Sequence, residues 1–184
     1  MFLDLHDLQT ITTINVLLTL GTMEKTWNWL KSKLIEKKNG IILEKNDSDS
    51  FESVQDFIES TEHNFYTSVI YYQAFPQENA VDFLNTLKSE LTAKLNLPEF
   101  ESSERLGEII KAAKLQMIII DRCYLHPLDA LQSLIDFFSI HQVAVILVGS
   151  QSKMAIAKVL DLPTVSQWDK LVVCDECKTI PKLN

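Results

Sequence analysis

The sequence predicts an α/β fold, a three-layer αβα domain whose parallel sheet carries helices on both faces. Three observations carry that expectation. Strand-like apolar runs alternate with helix-like stretches along the chain, the order of parallel strands joined by helical crossovers. Two runs, LQMIIID (115–121) and VAVILVGS (143–150), are almost wholly apolar, as suits central strands covered on both sides. A chain of 184 residues, 46% hydrophobic and 23% charged, is long enough for one well-packed domain and short for two.

Taken in order, residues 3–18 place Leu3, Leu5, Leu8, Ile11, Ile14 and Leu18 at mostly helical spacing, although TTINVLLTL (12–20) also suits a strand. Glu24 to Lys38 is a clearer amphipathic helix, with Trp27, Leu30 and Leu34 on one face. GIIL (40–43) is a short strand, followed by a polar loop and a helix from about Phe51 to Glu62. TSVIYYQAF (67–75) is a second strand, rich in the β-branched and aromatic residues that suit a pleated surface. Asn79 to Leu95 reads as a helix with Val81, Leu84, Leu87, Leu91 and Leu95 inward, ended by NLPEFESS (96–103). Ser102 or Ser103 suits the cap of a helix running toward Lys114.

After LQMIIID, Pro127 suits the first turn of a helix reaching about Ile140, with Leu128, Leu131, Leu134, Ile135 and Phe138 inward. VAVILVGS leads to a helix over Gln151 to Leu160, and KLVVC is the last strand. The expected organisation is an N-terminal helical segment (1–39) packing on the core, an α/β core (40–175) and a polar tail (176–184). In open parallel sheets ligands sit beyond the carboxyl ends of the strands, so chemistry is sought there.

Composition excludes several classes. A net charge of -8 argues against coating nucleic acid by bulk electrostatics, which scales with the phosphates that Lys and Arg neutralise. The densest basic cluster, Lys31, Lys33, Lys37 and Lys38, reads as a solvated helix face, with a DNA contact as the alternative. No run reaches the roughly 18 apolar residues that span a bilayer. The start, MFLDLHDLQT, carries Asp4 and Asp7 where a secretory signal would be basic. Three cysteines fit a reducing cytoplasm. Cys174 and Cys177 form one C-x-x-C; the second pair a structural zinc site wants is absent, and Cys123 with a distant His is a poor substitute. His6, His63, His126 and His141 are scattered, none beside a Ser or Cys in a nucleophile motif.

The stretch NGIILEKNDSDSFESVQDFIE (39–59) has the strand, loop and helix order in which a phosphate-binding loop works, yet its loop holds no glycine. With the segment LQMIIIDRCYLHPLDALQSLIDFFSIHQVAVILVGSQSKMAIAKVL (115–160), it resembles the P-loop NTPase core of AAA+ ATPases. More narrowly, it resembles the transposon-encoded TniB/TnsC family, in which an apolar strand ending in Asp-Glu leads through a helix to a strand ending V-G-T or similar. The resemblance covers about Gly40 to Leu160 and rests on order, spacing and strand endings.

That resemblance implies a pattern of loss. An intact loop reads GxxxxGK[ST]: glycines let the backbone wrap the phosphates, Lys reaches them, and the hydroxyl binds magnesium. Here Glu44 and Asp49 stand at the glycine positions, Ser50 at the Lys and Phe51 at the hydroxyl. Glu44, Asp47 and Asp49 would repel a triphosphate, each close like-charge pair costing on the order of a kcal/mol. Read without the resemblance, NDSDS is a self-satisfied turn. Asp121 matches the magnesium-associated acid, but Arg122 stands where the family has the Glu that activates water, and a guanidinium is no base near neutral pH. Gly149 and Ser150 match the strand end with the polar sensor, although a small residue leaving a strand needs no such role. Neither arginine, Arg105 or Arg122, falls where the resemblance places an arginine finger. A competing register, TLGTMEKT (19–26), keeps Lys25 and Thr26 but has Thr19 and Glu24 at the glycine positions.

The expectation is a catalytically degenerate AAA+-like protein, a non-hydrolysing adaptor or regulator acting on protein partners. By the resemblance these would be a related AAA+ ATPase, a transposase or a target selector. No cofactor is expected, with ATP and magnesium bound weakly at most. The alternatives are a nucleotide-binding ATPase with a non-standard loop or completed by a partner subunit, and a DNA-binding module using the four lysines.

Overall fold

A computed structural model of the chain describes residues 24–45, 54–59, 68–94 and 106–173. The expected 3–18 helix, most of the odd loop, Ser102, Ser103, Arg105, His6, His63, Cys174 and Cys177 lie outside those residues.

Among the described residues the expected strands form. These are β1 (Gly40–Glu44), β2 (Ser68–Gln73), β3 (Leu115–Asp121), β4 (Ala144–Ser150) and β5 (Asp169–Val173). Helix α1 covers 24–36 and α2 covers 54–59. They are followed by α3 (Ala80–Lys94), α4 (Leu106–Ala112), α5 (Leu128–Ile140), α6 (Met154–Leu160) and the short α7 (Pro163–Ser166). A 3-10 turn, Cys123–Leu125, links β3 to α5.

The strands form one parallel sheet in the order β2-β3-β4-β1-β5. From β1 the chain crosses to the far edge, steps back through β3 and β4, and then passes over β1 to reach β5. The order therefore reverses at β1, and a crevice opens beyond its carboxyl end.

Alternation along the strands sends side chains to two cores. On one face Ile41, Leu43, Ile118, Ile120, Val145 and Leu147 meet α3 to α7. On the other, Ile42, Met117, Ile119, Ile146 and Val148 meet Leu30 and Leu34 of α1 and Val54 and Phe57 of α2. Ile118, Ile119 and Ile146 are wholly buried, and each such side chain stabilises the fold by about 1.5–3 kcal/mol. A charge at Ile119 would break the centre of the sheet.

Local signals set the helix ends. The Asn79 Oδ1 accepts the Asp82 N–H at 2.9 Å, capping α3. Phe83, Leu87 and Leu91 then form its buried stripe. Val81, expected inward, is 65% exposed, because Phe83 sets which side of that first turn faces the sheet. Pro127 stands one residue ahead of α5, with ψ at 141°, so it precedes the first turn it was expected to occupy. Gly40 is required by close approach: a Cβ there would lie 2.5 Å from the Trp29 ring.

Candidate functional site

The polar groups at the carboxyl end of the sheet fall on the α1–α2 face. Glu44 follows Ile42, Asp121 follows Ile119 and Ser150 follows Val148, each two residues on, and Tyr71 packs against the same core. Glu44 ends β1 in register with Ser150 of β4 and Val173 of β5. The strand at the reversal point is therefore Gly40–Glu44, and the loop that leaves the crevice is the one that begins at Glu44. Lys25 and Thr26 of the competing register lie on α1, with Thr26 buried and Lys25 exposed. Asp47, Asp49 and Ser50 lie outside the described residues.

Glu44 is only 5% exposed. A carboxylate side chain thus occupies the base of the crevice, where a glycine would leave backbone bare to a phosphate. The neighbouring backbone is consumed in the sheet's extension: Gln151 N–H donates to the Glu44 carbonyl at 2.8 Å and Lys45 N–H to the Val173 carbonyl at 3.3 Å.

Asp121 is held by its own chain. The Tyr71 hydroxyl donates to Oδ2 at 2.6 Å, and the Arg122 backbone N–H donates to Oδ1 at 2.6 Å. Tyr71 pairs with Ile119, two residues or roughly 6.6 Å of strand short of Asp121, a gap its long side chain spans. Burial first, then the bond to Asp121 and its charge, push the Tyr71 hydroxyl well above the ordinary tyrosine range; Arg122 opposes this and Glu44 adds to it. Tyr71 is thus a neutral, committed donor.

Arg122 is left-handed, with φ 50° and ψ 39°, a conformation that costs a residue with a Cβ about 1–2 kcal/mol. Three hydrogen bonds hold the turn. Beside the Asp121 bond, Leu125 N–H donates to the Arg122 carbonyl at 2.8 Å and Ala74 N–H to the Asp121 carbonyl at 2.9 Å. The Arg122 side chain is exposed. Ser150 is buried, its hydroxyl 2.8 Å from that of Ser152 while accepting the Ser152 N–H at 3.3 Å, so its polarity is spent inside its own turn.

This arrangement does not fit magnesium and a triphosphate. The residue after the expected metal acid is a cation, and a buried carboxylate stands at the loop's start, where a triphosphate would meet negative charge. No catalytic step follows from it. Among the described residues no group of three His, Cys, Asp or Glu side chains is placed to hold a metal. Cys123 is fully buried, and burial pushes its thiol far up, away from reactivity. Among the described residues no helix is long and apolar enough to cross a membrane.

Lys31 and Lys33 of α1 and Lys37 and Lys38 just after it do not make one open basic face. Lys33 is buried and paired with Asp169, Lys38 pairs with Glu36 at 2.8 Å, and the Lys31 ammonium lies 4.9 Å from the centre of the Trp27 ring. Lys37 is exposed. The sequence reading did not anticipate Tyr71. Two adjacent tyrosines late in a strand were the only signal for it, and the register that brings one to Asp121 is not written in the residues.

Strand order and the reversal at β1 define a parallel α/β sheet covered by helices on both faces. Solved structures share it. Drosophila ORC bound to DNA matches with a TM-score of 0.63 and 13% identity over 90% of this chain and 32% of that one. Drosophila ORC bound to AT-rich DNA and Cdc6 matches with a TM-score of 0.65 and 13% identity over 90% of this chain and 31% of that one. Cdc6p from Pyrobaculum aerophilum matches with a TM-score of 0.59 and 15% identity over 82% of this chain and 44% of that one. The chain spans about a third to under half the length of these structures, and at such identity the likeness is one of fold. No family model and no curated protein matches the chain.

Proposed function

We propose that this chain is a non-hydrolysing AAA+-fold protein that works by binding other proteins, as an adaptor or regulator of an active AAA+ assembly on DNA. The observation that carries the reading is the buried Glu44 at the end of β1, a carboxylate where a phosphate loop would begin with glycine. Beside Asp121, which is oriented by the Tyr71 hydroxyl and the Arg122 backbone, the Arg122 side chain supplies no base. The sequence resemblance to TniB/TnsC proteins directs the reading to DNA transposition, with a related ATPase, a transposase or a target selector as partner. The fold-level likeness to ORC and Cdc6 structures, some bound to DNA, is compatible with an assembly of that kind.

Titration of the full chain with ATP and magnesium tests it. The expected result is no saturable binding at millimolar nucleotide, together with a change in the ATP turnover of an active TniB/TnsC-type ATPase when the chain is added. Saturable binding that Asp121→Ala or Lys25→Ala abolishes would replace this reading with that of an ATPase whose loop is non-standard or is completed by a partner.

A further inference from the structure

Among the described residues, Lys37, Gln77, Lys114, Arg122 and Gln142 are left-handed without being glycine. Lys37, Lys114 and Gln142 each follow the end of a helix, where a left-handed residue is ordinary. Gln77 and Arg122 do not. Gln77 lies in the loop from β2 to α3 and Arg122 in the turn after β3, and hydrogen bonds stitch the two segments into one corner. Ala74 N–H donates to the Asp121 carbonyl at 2.9 Å and Gln77 N–H to the Leu125 carbonyl at 3.2 Å. His126 Nδ1 lies 3.1 Å from the Glu78 carbonyl, and the Tyr72 hydroxyl donates to Glu78 Oε1. Backbone conformations that cost energy persist where the surroundings enforce them, and they collect at functional sites.

The corner presents an aromatic ring and a guanidinium to solvent. Phe75 is 60% exposed, its ring meeting Tyr72 edge-on with centroids 6.4 Å apart. Arg122 is exposed, and among the described residues its side chain has no salt bridge or hydrogen bond. Because Ala74 bonds to Asp121, the next residues of the two segments, Phe75 and Arg122, leave the sheet side by side. Aromatic residues and arginine are the types enriched at protein contacts and at their energetic centres.

The charges choose the occupant. Asp121 directly precedes Arg122 and is partly exposed, and each of its oxygens, holding one hydrogen bond, can accept another. The other acids of the corner are engaged, Glu78 by Tyr72 and Asp82 by the Asn79 amide at 2.6 Å. A wholly acidic partner would be repelled by Asp121 and a wholly basic one by Arg122. A surface with both signs adjacent is matched by its own copy turned about a two-fold axis, where one residue meets its neighbour's mate and the reverse. Pairing by strand addition suits this edge less, because the β2 ladder is irregular between Ser68 and Val69, and an irregular edge resists an added strand.

We infer that this corner is a two-fold contact between two copies of the chain, with Arg122 of each copy paired to Asp121 of the other and the two Phe75 rings packed across the axis. The patch is small, so the dimer is weak and reversible.

Sedimentation velocity of the full chain over a rising concentration series tests the inference. No nucleotide or second protein is present, so its outcome is separate from that of the adaptor reading. The expected result is a reversible monomer–dimer equilibrium. Phe75→Ala removes the apolar anchor, and Arg122→Asp sets like charges face to face on a backbone conformation that Asp tolerates; each should weaken association by about tenfold or more. A chain that stays monomeric throughout, a dimer that either variant leaves intact, or an assembly that grows past two copies overturns it. Both side chains are exposed, so each variant should keep the urea midpoint of the unsubstituted chain. If Arg122→Asp lowers it, Phe75→Ala decides alone.

Discussion

Tyr71 and Tyr72 are neighbours in one edge strand, point to opposite faces of the sheet, and each gives its hydroxyl to a carboxylate. On the α1–α2 face the acceptor is Asp121, partly exposed at the end of β3. On the other face it is Glu78, nearly buried, which anchors a loop. The same chemistry thus appears in two settings. The difference lies in what surrounds the carboxylate. Asp121 keeps access to water, whereas Glu78 shares a closed space with His126 and Phe83.

Breaking the packing under the second clamp gives the largest effect. Phe83 is wholly buried and lies edge-on to Tyr72, His126 and Phe138, so Phe83→Ala should destabilise the fold by about 3–5 kcal/mol, read from the urea midpoint. Tyr72→Phe keeps the ring but strips Glu78 Oε1 of its donor in a buried setting, for an expected loss of about 1–3 kcal/mol. Tyr71→Phe should cost less, about 0.5–1.5 kcal/mol, because water can reach Asp121. If Tyr71→Phe costs more than Tyr72→Phe, the contrast in solvent access is wrong.

The smallest effect is alkaline. Burial first and the carboxylate bond second push both phenols above their ordinary value. The unfolded chain therefore ionises them first, so the stability they confer is present below about pH 10 and declines as pH rises further. Denaturant midpoints followed from neutral to alkaline pH should fall less steeply in each Tyr→Phe variant than in the unsubstituted chain.

The layers of the molecule were legible because burial on both faces demands unbroken apolar runs, and LQMIIID and VAVILVGS are short and rich in β-branched residues. The stripe of α5 was read correctly for the same reason: Leu131, Leu134, Ile135 and Phe138 sit inward at helical spacing. The α7 turn was not separated from the chain leading to the last strand, since four residues show no period. In the site, Glu44 was legible as the acid that ends an apolar run, and the residues from Asp47 to Ser50 lie outside the described structure. The clamp on Asp121 could not, because it depends on the β2–β3 register and on a left-handed Arg122. The Glu78–His126 contact joins positions 48 residues apart, and nothing local in the sequence couples them.

Lys33 of α1 meets Asp169 at the start of β5, so the first and last described elements of the chain are tied to each other. Leu30 and Leu34 of the same helix cover Ile42, Met117 and Ile146. A chain shortened to begin at β1 would keep α2 but lose the cover of α1, exposing part of that side of the sheet to water, and it should aggregate more readily than the full chain.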